Sequence, residues 1–233
     1  MKNHLIVFAK RPLAGYAKTR LGEKIGLEES AGIYARFLYQ SLFELVALDR
    51  ADIIIELSLA SSADVPYFRF AFPEFQISSQ TGGNLGQRFT KSFQKAFDQG
   101  ATAVVVIGTD IPDLNRSILQ SAFDALSEND VVIGPDMDGG YYLIGLDKTR
   151  PSLFSGINWS THQVFAQTMA KIREEALTVS QLDPLPDVDT YRDVLNLWQF
   201  LGESDTDLTG EHERTYKILN ELFRQPVEKA NAD

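Results

Sequence analysis

Short apolar runs alternate along the chain with longer segments of helical spacing, and the alternation predicts strands and helices in turn. Residues 5–9 (LIVFA) form an apolar run that ends in a break, as a buried strand does. Residues 28–47 set Ile33, Phe37, Leu38, Leu42, Leu45 and Val46 on one stripe, which predicts an amphipathic helix. A strand over 53–60, a short helix over 63–70 and a strand over 75–79 follow. Phe89, Phe93 and Phe97 then mark one face of a helix ending near Asp98. The unbroken apolar run 103–107 predicts a fully buried strand, followed by a helix over 117–127. Strands over 130–134 and 141–146 are joined by a turn too short for a βαβ crossover, so antiparallel pairing is expected. After a helical turn at 151–156, Ser160 or Thr161 supplies an N-cap signal for a helix reaching about Glu175. A strand over 176–180, a helix starting near Tyr191 and an amphipathic helix over 211–224 complete the pattern. The whole reads as an α/β protein with a mostly parallel sheet and one antiparallel element.

Composition narrows the chemistry. A length of 233 residues suits one sizeable core, and a single domain over 1–233 is expected. With no cysteine, disulfides, a thiol nucleophile and a cysteine-built zinc site are all excluded. His4, His162 and His212 show no ligand spacing. The formal net charge of −10 argues against a nucleic-acid partner, which needs a basic face. No segment approaches the ~18 apolar residues of a membrane span and no leader-like apolar region opens the chain, so a soluble, cytoplasmic protein is expected.

Within this acidic chain, residues 10–26 (KRPLAGYAKTRLGEKIG) are strongly basic, with Lys10, Arg11, Lys18, Arg20 and Lys24. A strand, a basic loop broken by Pro12 and Gly15, and then a helix is an arrangement that cradles phosphates, although a solvated basic loop has the same pattern. The Gly-rich turn 80–89 leads into a helix whose Arg88 either meets an anion or stays solvated. Asp110 stands just past a buried strand, at the rim where open α/β sheets bind ligands. Asp136 and Asp138 lie in the turn 136–140, where Asp138-Gly139 equally suits an ordinary hairpin. Asp187 and Asp189 alternate around Val188, so an extended backbone would turn both to one side; Asp189 is also suited to cap the following helix. Cations beside carboxylates suggest a diphosphate bridged by Mg²⁺ or Mn²⁺.

FAKRPLAGYAKTRL, GTDIPDL, GPDMDGGYYLIGL and DVDTYRD, in that order, resemble the family of unknown function 2064, over roughly residues 4–202. Its members are similar to nucleotide-diphospho-sugar transferases of the GT-A fold. More distantly the chain is similar to molybdenum-cofactor nucleotidyltransferases and to phospholactate guanylyltransferases. The resemblance implies a three-layer α/β/α GT-A-like fold with a mostly parallel mixed sheet. It implies that Lys10, Arg11, Lys18 and Arg20 contact nucleotide phosphates, and that Asp110, aided by Asp187 and Asp189, holds the divalent metal. It places Ser160 and Thr161 on the acceptor side, where those relatives use small polar groups near an acceptor phosphate. The first loop has Gly15 alone where the nucleotidyltransferases are rich in glycine, and no D-x-D stands at Asp110. The leading expectation is a glycosyltransferase acting from a nucleotide sugar onto a small-molecule acceptor, with Asp138 as base. A nucleotidyltransferase joining an NTP to a small phosphorylated acceptor, and a non-catalytic nucleotide-sugar binder, are the alternatives.

Overall fold

The computed structural model describes residues 2–46, 52–203, 216–217 and 219–220. Strand β1 (Lys2–Ala9) leads through a loop into α1 (Thr19–Ile25) and α2 (Leu27–Val46), then β2 (Ile53–Leu59), α3 (Val65–Ala71) and β3 (Gln76–Ser79). There follow α4 (Leu85–Asp98), β4 (Ala101–Ile107), α5 (Arg116–Ala125), β5 (Val131–Pro135), β6 (Tyr141–Leu146), α6 (Val164–Glu174), β7 (Val179–Gln181) and α7 (Tyr191–Glu203). The basic stretch is therefore shorter as a loop than its glycine and proline suggest, because residues 19–25 close into a helix of their own. Most of the helix expected over 211–224 lies outside the described residues.

The seven strands form one sheet in the order β3-β2-β1-β4-β6-β5-β7. Every pairing is parallel except those of β6, which runs antiparallel to both β4 and β5. The antiparallel return expected at 134–141 is thus present, and β6 inserts itself between β5 and β4. Alternation along β1 explains the layering. Leu5 and Val7 point into a core shared with Tyr34, Leu38 and Leu42 of α2, Phe68 of α3 and Leu119 and Phe123 of α5. Ile6 points the other way, into a core with Phe89 and Phe93 of α4 and Ile172 of α6. Helices cover both faces, which gives the three-layer α/β/α arrangement. Each fully buried Leu or Phe contributes about 1.5–3 kcal/mol.

Two further features tie the elements together. A third core, of Leu21, Ile33, Phe37, Val188, Val194, Leu197 and Leu201, fastens α7 and the segment before it onto α1 and α2. Under α4 lies a buried ionic network. The Glu56 carboxylate receives Lys95 Nζ at 2.7 Å and the Ser78 hydroxyl, and faces His4 Nε2 at 3.3 Å. Burial alone would raise the Glu56 pKa, but His4, Lys95 and Ser78 outweigh it and hold the group down at about 2. Among the described residues no helix is long and apolar enough to cross a membrane.

Candidate functional site

Strand order reverses at β1, whose neighbours are β2 on one side and β4 on the other. The connections leaving β1 and β4 therefore diverge and open a crevice at the C-terminal edge of the sheet. The basic loop 10–18 and the Asp110 loop are those connections. Tyr34, reaching up from α2, joins them: its hydroxyl accepts from the Lys10 backbone N–H at 3.0 Å and bonds Thr109 Oγ1 at 3.0 Å. Burial and the nearby Asp110 carboxylate push the Tyr34 phenol up to about 12, so it stays a neutral tie.

Lys18 is the centre of the arrangement. It adopts left-handed backbone angles (φ 49°, ψ 45°) at the start of α1, a conformation that costs a non-glycine residue about 1 kcal/mol. Its side chain is only 3% exposed, and Nζ lies 2.5 Å from Asp110 Oδ1 and 3.6 Å from Asp189 Oδ1. Arg20, largely in solvent, reaches the other oxygen of Asp189 at 3.2 Å. Asp189 comes so close to Asp110 because Val188 donates its backbone N–H to the Asp110 carbonyl at 3.0 Å, with the Val188 side chain buried in the third core. Asp189 is not the cap of α7. Asp193 accepts from the N–H groups of Asp189 and Thr190 at 3.0 and 2.6 Å, while the Thr190 hydroxyl accepts from the Asp193 N–H at 3.4 Å, a reciprocal capping box. The box frees the Asp189 carboxylate for the two cations.

A second group of acids gathers beside the first. Asp136 Oδ1 accepts from the N–H groups of Asp138 and Gly140 at 3.0 and 2.7 Å, which folds the turn so that Asp138 faces outward. The turn is pinned to α6 by the Phe165 N–H on the Gly139 carbonyl at 2.9 Å. Burial, followed by the charges of Asp138, Asp136 and Asp193, pushes the Asp187 carboxyl up to about 6, with Lys18 opposing. Burial raises Asp136 as well, against its backbone hydrogen bonds.

These groups border two clefts. The larger, about 710 Å³, is lined by Arg20, Asp136, Asp138, Asp187 and Asp189, by Ser160, Thr161 and His162, and by an aromatic wall of Phe89, Tyr141 and Trp159. The smaller, about 450 Å³, has apolar walls from Met137, Val188, Leu197 and Phe200, and carries Asp113, Asp138, Asp187 and Asp193 with no basic side chain. Asp138 and Asp187 border both.

Of the residues singled out from sequence, Arg20, Asp138, Ser160, Thr161, Asp187 and Asp189 line the larger cleft; Lys18 and Asp110 adjoin it through Asp189. The other three cations stand apart from that lining. Arg11 lies over the Tyr67 ring at 4.4 Å, Arg88 donates to Gln80 at 3.3 Å, and the Lys10 side chain is exposed. Ser160 and Thr161 do not cap α6 as their residue types suggest. Ser160 sits at φ 63°, Thr161 donates to the Asn158 carbonyl at 2.7 Å, and α6 begins only at Val164. The aromatic wall and His162 are not among the site residues expected from sequence, since aromatic residues at helical or strand spacing read first as core and His162 has no partner at ligand spacing. The WSTH string, a tryptophan and a histidine bracketing two small polar residues, is the signal that could have found them.

Oxygen donors of this kind suit Mg²⁺ or Mn²⁺ in hardness. The positions do not fit such an ion as they stand. Among the described residues no three carboxylates or histidines are set to hold a metal, and Asp110 and Asp189 already face an ammonium.

No curated protein matches the sequence. Among solved structures, a "putative nucleotide-diphospho-sugar transferase" from Desulfovibrio desulfuricans G20 is 36% identical, covers 97% of this chain and 98% of its own, and superposes with a TM-score of 0.85. The 4-diphosphocytidyl-2C-methyl-D-erythritol synthase of Anaerococcus prevotii shares 13% identity over 87% of this chain and 99% of its own, with a TM-score of 0.57. Rv0371C of Mycobacterium tuberculosis, solved in complex with manganese, shares 14% over 84% and 97%, with a TM-score of 0.50. These two show a shared fold. The model of the family described as "Uncharacterized protein conserved in bacteria (DUF2064)" matches residues 43–161. With that match and a 36%-identical relative spanning nearly the full chain, the protein belongs to the DUF2064 family and has the fold of the nucleotide-diphospho-sugar transferases.

Proposed function

We propose that the chain is a glycosyltransferase that moves a sugar from a nucleotide diphosphate to an acceptor carrying no phosphate. The observation that carries this reading is the carboxylate pair Asp138 and Asp187, which borders two clefts of different character. The larger cleft has a cation, small polar groups and an aromatic wall, features that suit a diphosphate and a sugar ring stacked on Trp159 or Tyr141. The smaller has apolar walls and four carboxylates, so it suits a neutral or cationic acceptor and repels a phosphorylated one.

The chemistry follows from that placement. The acceptor hydroxyl attacks the anomeric carbon as the bond from that carbon to the diphosphate oxygen breaks. Its proton passes to Asp138, exposed at the junction, or to Asp187, which borders the same two clefts. The electron pair of the broken bond leaves on the diphosphate, whose charge meets Arg20 and, beyond it, Lys18. Ser160 and Thr161 line the larger cleft and so stand on the donor side, where they orient the sugar. No step runs through a metal, because the arrangement of Asp110, Asp187 and Asp189 does not fit one as folded. The name borne by the 36%-identical relative supports the same donor class.

Incubating the protein with UDP-, GDP- and CDP-sugars and a panel of alcohols and amines tests the reading. Release of nucleoside diphosphate, lost in Asp138→Asn, is the expected outcome. Pyrophosphate release from an NTP with a phosphorylated acceptor would instead make the protein a nucleotidyltransferase. Tight donor binding with no turnover of any acceptor would make it a binder.

A further inference from the structure

Asp110 and Asp189 are acids of the kind that take a divalent cation, yet the chain supplies their counter-ion itself. The Lys18 ammonium lies 2.5 Å from Asp110 Oδ1 and 3.6 Å from Asp189 Oδ1. Burial is lopsided across the pair. The Lys18 side chain is 3% exposed and its Nζ is shut off from water, whereas the Asp110 and Asp189 side chains remain 50% and 35% exposed. The cation is thus fixed on the protein side while the carboxylates stay open on the ligand side. Three separate constraints hold this geometry. Lys18 keeps its left-handed backbone, Val188 is bonded to the Asp110 carbonyl, and the capping box of Thr190 and Asp193 leaves Asp189 free to turn inward.

A divalent ion coordinated by Asp110 Oδ1 at about 2.1 Å would stand within roughly 5 Å of the ammonium. Neither cation could be hydrated on the side facing the other, so their repulsion would be poorly screened. We infer that Lys18 takes the place of a divalent cation at the Asp110–Asp189 pair, so that Mg²⁺ or Mn²⁺ binds there only weakly. This deepens the transferase reading but is tested without turnover, so failure of one is distinguishable from failure of the other.

The test is Mn²⁺ binding to the full chain in the absence of nucleotide, followed by the electron paramagnetic resonance signal of the free ion. Wild type binds weakly. Lys18→Met, which keeps the length and removes the charge, binds roughly ten- to hundredfold more tightly. Lys18→Arg retains the charge and binds as weakly as wild type, and adding Asp110→Asn to Lys18→Met removes the gain. A merely structural role for Lys18 would lower stability without creating metal affinity. A folded Lys18→Met that binds Mn²⁺ no better than wild type overturns the inference, as does tight binding by wild type that the substitution leaves unchanged. If Lys18→Met is poorly stable, Lys18→Gln serves beside it, and Mn²⁺ must raise the Tm of either variant more than it raises that of wild type. Absence of that rise counts against the inference.

Discussion

Val188 gives its backbone N–H to the carbonyl of Asp110 across a chain separation of nearly eighty residues, at 3.0 Å. The bond does more than join two loops. It sets the late acidic segment against the end of β4, with Asp189 on the cation side and Asp187 on the side of Asp136 and Asp138. Residues two apart in an extended chain face the same way, and here the shared cleft is divided between them. One carboxylate balances Lys18 and Arg20; the other is crowded by its own kind.

Arg20 separates ligand binding from stability. Its side chain is 73% exposed, so its pair with Asp189 contributes under about 1 kcal/mol to folding. A charge-assisted contact to a diphosphate is worth about 1.5–3 kcal/mol. Arg20→Ala should therefore weaken nucleotide-sugar binding about ten- to hundredfold, measured by calorimetry, while leaving the Tm nearly unchanged. A fall in Tm with intact donor affinity would move the diphosphate elsewhere.

Asp187 links activity to pH with one sign and stability with the other. Its carboxyl is pushed up to about 6 from an ordinary value of 3.8, first by burial and then by Asp138, Asp136 and Asp193. As part of the proposed base, it must lose its proton, so kcat/KM should climb as pH rises through about 6, and Asp187→Asn should abolish that limb. For folding the raised value is stabilising below the unfolded pKa near 4, and the benefit is lost as pH rises through 6. Asp187→Asn should accordingly be more stable than wild type at pH 8, by about 1 kcal/mol after solvent screening, and no more stable at pH 3.5. Urea denaturation at the two pH values reads the difference.

Glu56 behaves in the opposite sense. His4, Lys95 and Ser78 hold it near 2 against burial, below the ordinary 4.5. The network's contribution is complete above 4.5 and is lost as pH falls towards 2. Glu56→Gln leaves Lys95 and His4 facing an amide and should cost about 3 kcal/mol at neutral pH. That cost should shrink steadily below pH 4.5, and a constant penalty would show that packing, not charge, holds these residues together.

The sheet was legible because its central strands are buried on both faces and stand out as apolar runs, 5–9 and 103–107 above all. The ends of the helices were less so. Asp189 has the residue type of a helix cap, but Thr190 and Asp193 form a better one, and only their mutual geometry decides. Lys18 reads as a phosphate ligand because sequence shows a lysine in a basic loop and nothing of the fold that closes two acids on it. The split between Asp187 and Asp189 is hidden for the same reason: it depends on Val188 finding Asp110. Arg11 in the proline-broken loop and Arg88 in the first turn of α4 illustrate the converse, since these cations meet Tyr67 and Gln80.

Gly139 holds the acidic turn against the wall of the cleft. It adopts φ 88°, and a Cβ built on it would stand 2.2 Å from the His162 carbonyl oxygen. Gly139→Ala therefore meets two penalties, the left-handed backbone, about 1–2 kcal/mol, and a backbone clash that no rotamer relieves. The turn must move off the 160–165 segment, carrying Asp138 away from the junction of the clefts. Gly100 separates the two effects, because it has the same φ of 88° but nothing within 4 Å of its Cβ position. Gly100→Ala should lose stability and keep its transferase rate, while Gly139→Ala should lose at least about tenfold in kcat as a misplaced catalytic group does. Equal rates in the two variants would show that the position of Asp138 does not govern the reaction.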